Sequence, residues 1–228
     1  MTHRKRGQMS ESVAMGLLLA LTGGFLDAYT YVARGRVFAN AQTGNIVLLG
    51  MNLADRNFSA ALSYLIPIVA FVAGVAMAEV IRHHNRWEAL HWRQITVAAE
   101  LLLLAAVAFL PAALDNAANV LVAFVCAVQV ESFRKVNGNA FATTMCTGNL
   151  RSGTERLYLW GKTGERDHGH RAAQYYGIIV FFIVGAALGA WCSGRWGQRA
   201  VLGACVLLLA AFLLMFQRKP LARTGKGV

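Results

Sequence analysis

The chain has 228 residues, of which 57% are apolar and only 14% charged, and its mean hydropathy is +0.46. That balance excludes an ordinary soluble domain. The formal net charge of +11 lies in the connections between apolar runs, with no compact basic domain or aromatic-interleaved patch, so nucleic acid is excluded and the lipid bilayer is the indicated partner.

A bilayer core takes roughly 20 apolar residues per helix, and six runs approach that length. The first, 13–33, follows Arg4, Lys5 and Arg6; it runs past the length of a signal peptide, contains Asp27 and lacks a small-x-small cleavage site, so it reads as a retained span. Segment 37–54 carries Thr43-Gly44-Asn45 and is long enough either to cross or to re-enter. Runs 60–82 and 94–112 follow, then 118–136. Segment 140–150 carries Thr147-Gly148-Asn149 and is too short and too rich in Thr and Asn to span lipid by itself. A polar stretch, 151–171, leads to runs 173–193 and 199–216 and a basic cytoplasmic tail, 217–228. Residues 1–228 therefore form one membrane domain.

The two Thr-Gly-Asn triplets stand 104 residues apart, and the same shift lays 13–33 on 117–137, 60–82 on 164–186 and 94–112 on 198–216. This spacing predicts an internal duplication, with repeat 1 at about 9–112 and repeat 2 at about 113–216. The repeat rests on element spacing and one triplet, because over residues 21–50 the ungapped shift gives only four identities, Val32 with Val136 and the triplet itself. Duplication around helix-breaking motifs is a recurring plan of membrane transporters.

Charge sets the expected topology. With a cytoplasmic N-terminus and six crossings, seventeen of the twenty-two Lys and Arg residues lie inside, leaving Arg34, Arg36, Arg56, Arg195 and Arg199 outside. Letting both triplet segments cross as well would make the split thirteen to nine, a weaker positive-inside bias. Three crossings per repeat turn the second repeat upside down, so the triplets enter from opposite faces as broken or re-entrant segments and both termini are cytoplasmic.

At each triplet the glycine lets the backbone leave helical geometry, while Thr and Asn can bond the groups released. Opened helix ends can also hold an ion or solute; the alternative is a tight helix cap or packing notch without a ligand. Asp27 and Glu131 each precede a triplet by sixteen residues, and a carboxylate within a span is expensive enough to raise a functional hypothesis. For Asp27 the competing reading is a hydrogen bond to a helix end; for Glu131 it is pairing near the interface, with Arg134 and Lys135 one turn away. The candidate solute or ion path is lined in the first half by Asp27, Asn40, Gln42, Thr43, Gly44 and Asn45. In the second half it takes Gln129, Glu131, Thr143, Thr144, Thr147, Gly148 and Asn149. Glu79 and Glu100 read as interfacial, solvated carboxylates.

Gly185-x-x-x-Gly189 would allow a close helix crossing, within the chain or between subunits of a homo-oligomer. Cys126, Cys146, Cys192 and Cys205 lack metal or disulfide spacing and read as packing residues. His83-His84 and His168-x-His170 lie in basic loops with no thiol or carboxylate cluster beside them. No HExxH, GxSxG, Walker A or Rossmann fingerprint occurs in a supporting context, so neither an enzyme nor a metal or cofactor is expected.

Two long motifs, Gly24-Phe-Leu-Asp27-Ala-Tyr with Val37-Phe-Ala-Asn-Ala-Gln-Thr-Gly-Asn-Ile-Val-Leu-Leu-Gly50, and Gln129-Val-Glu-Ser-Phe-Arg-Lys-Val-Asn-Gly138 with Ala142-Thr-Thr-Met-Cys-Thr-Gly-Asn-Leu150, resemble the YoaK family, DUF1275 or UPF0700. The likeness extends over nearly the whole chain. It implies a bacterial multi-pass protein of the cytoplasmic (inner) membrane whose biochemical function is unassigned, and it implies a neutral Gln or Ala where this chain has Glu131. The resulting expectation is an all-α integral membrane protein of about six transmembrane helices plus two triplet-bearing broken or re-entrant segments, in two inverted internal repeats. Its expected function is transport or conduction of a small solute or ion; the rival is a non-transporting membrane scaffold or interaction protein.

Overall fold

A computed structural model describes residues 12–84, 89–133, 135–136, 139–140 and 146–216. Among them are eight α-helices: α1 (Val13–Ala33), α2 (Gln42–Ala54), α3 (Phe58–His84), α4 (Ala89–Val107), α5 (Asp115–Ser132), α6 (Cys146–Thr163), α7 (Arg166–Trp196) and α8 (Val201–Met215). Two 3-10 turns, Ala112–Leu114 and Gly197–Ala200, lead into α5 and α8. A two-residue antiparallel ladder, β1 (Lys135–Val136) with β2 (Asn139–Ala140), follows α5.

Local chemistry sets the helix ends. Ser12 caps α1, its Oγ accepting from the Met15 N–H at 3.2 Å and satisfying one of the amides a helix start leaves open. Pro111 cannot continue a helix, and α4 gives way to a turn ahead of it. Gly197, at a φ of 54°, takes the left-handed conformation that stops α7 and lets α8 start almost at once.

Apolar residues face outward. Val69, Val72 and Val80 on α3, Val180, Ile183 and Trp191 on α7, and Val206 and Leu213 on α8 are exposed, while Asp27, Asn40, Glu100, Asn119 and Gln129 are buried. A water-facing surface would reverse this pattern; lipid requires it. Among the described residues, four helical stretches are long and apolar enough to cross a membrane: Val13–Ala33, Phe58–His83, Ala112–Ser132 and Arg166–Met215, the last containing both α7 and α8. All six predicted apolar runs fall mainly in helices, but the run 118–136 leaves helical geometry after Ser132, where the ladder begins.

The triplet segments differ from expectation in extent. Helix α2 has only 13 residues, about 20 Å at 1.5 Å per residue against a hydrocarbon core of about 30 Å. The second triplet opens an 18-residue helix that takes in much of the stretch read as a polar loop. Leu150, Leu157, Tyr158 and Trp160 of α6 are exposed apolar residues alternating with Arg151, Glu155 and Lys162, as in an amphipathic helix.

Packing follows a clear order. Helix α1 packs most extensively against α7, and α3 against α5; α2 lies on α3 and α6 on α7; α8 contacts α1 and α4, and α4 contacts α5. Glycines make the first two contacts close. A Cβ at Gly24 would overlap the Phe182 carbonyl, and one at Gly185 or Gly189 would overlap the Leu21 or Phe25 backbone. Gly185-x-x-x-Gly189 thus serves a crossing within the chain. At Gly74 of α3 a Cβ would lie 2.9 Å from the Phe124 carbonyl of α5.

Arg34, counted among the outside loop charges by its position in sequence, is instead 0% exposed. Its Nε donates to the Tyr29 hydroxyl (2.8 Å), its Nη2 to the Val107 carbonyl (2.8 Å) and its Nη1 to the Leu110 carbonyl (3.0 Å) and Asp115 Oδ1 (2.8 Å). The Asn119 amide donates to the Arg34 carbonyl at 2.7 Å. One side chain therefore joins the ends of α1, α4 and α5.

Two stability tests follow. Gly185→Ala lowers the thermal midpoint of detergent-solubilised protein by an amount equivalent to about 1–3 kcal/mol of overpacking, whereas Gly194→Ala, on the same helix with open space around its Cα, is neutral or stabilising. Arg34→Ala destabilises by about 3 kcal/mol, because it removes four hydrogen bonds, including the part-buried pairing with Asp115, and empties a fully buried position.

Candidate functional site

Both triplets occupy the same place in their helices. Thr43-Gly44-Asn45 are the second to fourth residues of α2 and Thr147-Gly148-Asn149 the second to fourth of α6. In both, the threonine is exposed and the asparagine buried. Thr143 and Thr144 lie outside the described residues.

The first triplet builds a clasp. Asn45 Oδ1 accepts from the Phe38 N–H (2.9 Å), and its Nδ2 donates to the Phe38 carbonyl (2.8 Å) and to Gln42 Oε1 (2.9 Å). The Gln42 amide in turn donates to the Ala39 carbonyl at 2.9 Å. Gly44 leaves room for the Phe38 ring, which would otherwise meet a Cβ at 2.8 Å and which stacks on Tyr31 with centroids 4.9 Å apart. These side chains satisfy a stretch of irregular backbone that would be costly at membrane depth.

Asp27 is tied to the same loop. Its Oδ1 accepts the Asn40 N–H at 2.6 Å and the Ala41 N–H at 3.4 Å, placing a carboxyl at the amino end of α2, where the helix dipole favours negative charge. Asn40 Nδ2 donates to the Gly23 carbonyl at 3.3 Å. Asp27 Oδ2 and Asn40 Oδ1 are buried with no hydrogen-bond partner among the described residues.

A second polar pair lies close by. The Gln129 amide of α5 donates to Glu100 Oε2 of α4 at 3.0 Å, while Glu100 Oε1 and Gln129 Oε1 are buried without partners among the described residues. Gln129 lies on α5, which packs against both α4 and α1, the helices that carry Glu100 and Asp27. Glu100 corrects an expectation: read as interfacial and solvated, it is 2% exposed, because α5 and α8 cover α4. Its position in an apolar run, with Leu101-Leu-Leu-Leu104 following it, carried that signal.

Glu131 is held differently from Asp27. It pairs with Arg82 of α3 at 3.4 Å, and Arg82 also bonds Glu79 at 2.5 Å. The expected partners, Arg134 and the Lys135 side chain, lie outside the described residues; Arg82 arrives from 49 residues away. Between α3 and α5, on the outward face, lies an apolar groove of about 400 Å³ bordered by Leu65, Val69 and Val120. Among the described residues, no three His, Cys, Asp or Glu side chains are grouped to hold a metal ion.

Against known proteins, the family model described as "Protein of unknown function (DUF1275)" matches residues 15–214. The chain is similar to the UPF0700 transmembrane protein YoaK of Bacillus subtilis (strain 168), at 28% identity over 185 residues, covering 75% of this chain and 79% of the relative. No solved structure matches.

Because the Asn45 side chain is the buried partner of both Phe38 backbone groups, Asn45→Ala destabilises by about 2 kcal/mol or more. Thr43→Ala, at an exposed position, stays within about 0.5 kcal/mol. Thermal unfolding of the two variants in the same detergent checks the difference.

Proposed function

The chain belongs to the DUF1275 family, a family of transmembrane proteins on the evidence of its relative, and on that premise we propose that it moves a small solute or ion across the bacterial cytoplasmic membrane. In this reading six helices cross, α2 and the start of α6 enter without crossing, both termini are cytoplasmic, and the two halves are inverted repeats.

One observation carries the proposal: helix packing is reciprocal. Label α1 to α4 as one half and α5 to α8 as the other. The contact of α1 with α7 is then matched by that of α5 with α3, α2 with α3 by α6 with α7, and α1 with α8 by α5 with α4. Such exchange is what a two-fold relation between duplicated halves produces, and transporters built this way handle their cargo where the halves and their broken helices meet. The hold of Asp27 on the start of α2 supports the same location. In that site Asp27 binds a cation or proton, and Asn40 and neighbouring amide and hydroxyl groups contact the cargo.

A second reading, a non-transporting membrane scaffold, has its own supporting observation. The Asn45 side chain bonds entirely within its own loop, as a purely structural motif would.

Topology and flux tests separate these. In a background lacking the four native cysteines, Asn57→Cys reacts with an impermeant thiol reagent from outside intact cells, and His83→Cys reacts only after the membrane is opened. The opposite pattern removes the six-crossing inverted layout. In proteoliposomes, uptake from a panel of radiolabelled alkali cations, amino acids and sugars exceeds that of protein-free liposomes and falls about tenfold or more in Asp27→Asn. Absence of any protein-dependent uptake favours the scaffold.

A further inference from the structure

Four of the buried atoms without a hydrogen-bond partner share one chemical character. Asp27 Oδ2, Asn40 Oδ1, Glu100 Oε1 and Gln129 Oε1 are all oxygen acceptors, all buried and all without a hydrogen-bond partner among the described residues. Buried acceptors need a donor or a positive charge. Each carboxyl is tied to a carboxamide-bearing residue: Asp27 accepts the backbone N–H of Asn40, whose side-chain amide bonds the Gly23 carbonyl, and Glu100 accepts from the Gln129 Nε2. Each pair therefore presents one free carboxyl oxygen and one free amide oxygen, and α5, which carries Gln129, packs against the helices of both carboxyls.

We propose that these two pairs are adjoining stations of a monovalent alkali-cation site, occupied at one or both stations in the native protein. An anion is disfavoured because every free atom is an acceptor. A divalent ion is disfavoured because each station offers a single carboxyl and no third ionisable ligand is grouped with it. A dehydrated Na⁺ or K⁺ takes carboxyl and carbonyl-type oxygens, and its single charge offsets the cost of burying a carboxylate. Arginines near the ends of α1, α3 and α4 are bonded elsewhere: Arg34 with Asp115, Arg82 with Glu79 and Glu131, and Arg93 with the Ser132 carbonyl.

The site gives the transport reading a coupling ion, but binding is measured without a gradient or a cargo, so its failure and the failure of transport are separate results. Purified full-length protein in detergent is unfolded thermally in NaCl, KCl or choline chloride at constant ionic strength. The expected result is a saturable rise in the midpoint with Na⁺ or K⁺ that choline does not give. Glu100→Gln and Asp27→Asn shift the half-saturating concentration about tenfold or more, equivalent to about 1.4 kcal/mol, while in choline Glu100→Gln matches or exceeds the wild-type midpoint, since an uncompensated buried carboxylate is gone. A merely structural Glu100 would instead lower the midpoint in all three salts alike. Should a variant fail to fold, the wild-type background with Cys146, Cys192 and Cys205 replaced by Ser reports on the same site: the salt slows alkylation of Cys126 by N-ethylmaleimide relative to choline. Wild-type midpoints and Cys126 reactivity that are the same in all three salts overturn the proposal and assign the orphaned oxygens to water or to protonated carboxyls.

Discussion

Arg34 is the interaction on which the arrangement of the core depends. A fully buried guanidinium is tolerable only when its donors are matched, and here a hydroxyl, two helix-end carbonyls and a carboxylate supply the match. The Val107 carbonyl ends α4 and the Leu110 carbonyl lies in the turn that follows, where backbone acceptors leave the regular helical ladder. The charge also complements the carboxyl-end dipole of that helix. By fixing the ends of α1, α4 and α5 together, this cluster brings Asp27, Glu100 and Gln129 into one region, although each lies on a different helix. The polar interior is thus a product of the staple as much as of the residues that compose it.

The polar interior divides its labour. Asn45 and Gln42 satisfy the irregular backbone between α1 and α2, and Gly44 makes space for the ring that covers it. Because that backbone is already satisfied, Asp27 needs only one of its oxygens to hold the loop. The other remains available. Glu131, at the matching place in sequence, has Arg82 as partner, so the two carboxylates that the repeat pairs are chemically unequal.

Much of this was legible in the sequence and some of it was not, for physical reasons. Hydropathy alone locates the long helices, since lipid imposes a length and a composition. The triplets mark where α2 and α6 begin because Gly and Asn are suited to the exit from irregular backbone. By contrast, Arg34 looks like a loop charge and Glu100 like an interfacial one: whether such a residue is buried depends on partners 73 to 81 residues away for the first and 29 for the second. Local pattern carries no record of the Arg34 partners, whereas for Glu100 the apolar run around it was the legible sign. The extent of α6 was hidden for a related reason, because an amphipathic helix with four charges reads as a polar loop when only span length is sought.

The glycine seam between α1 and α7 has a consequence for biosynthesis. Ala33 ends α1 and Arg166 begins α7, so well over a hundred residues must be made before the first helix meets the partner whose backbone it touches. At ordinary elongation rates that wait is on the order of ten seconds. Throughout it, the notched face of α1, with Gly24 and the nearby Asp27, must be accommodated by something other than its final neighbour. The nascent chain therefore calls for a temporary host, lipid or insertion machinery, that tolerates a carboxyl-bearing helix until the seam can close.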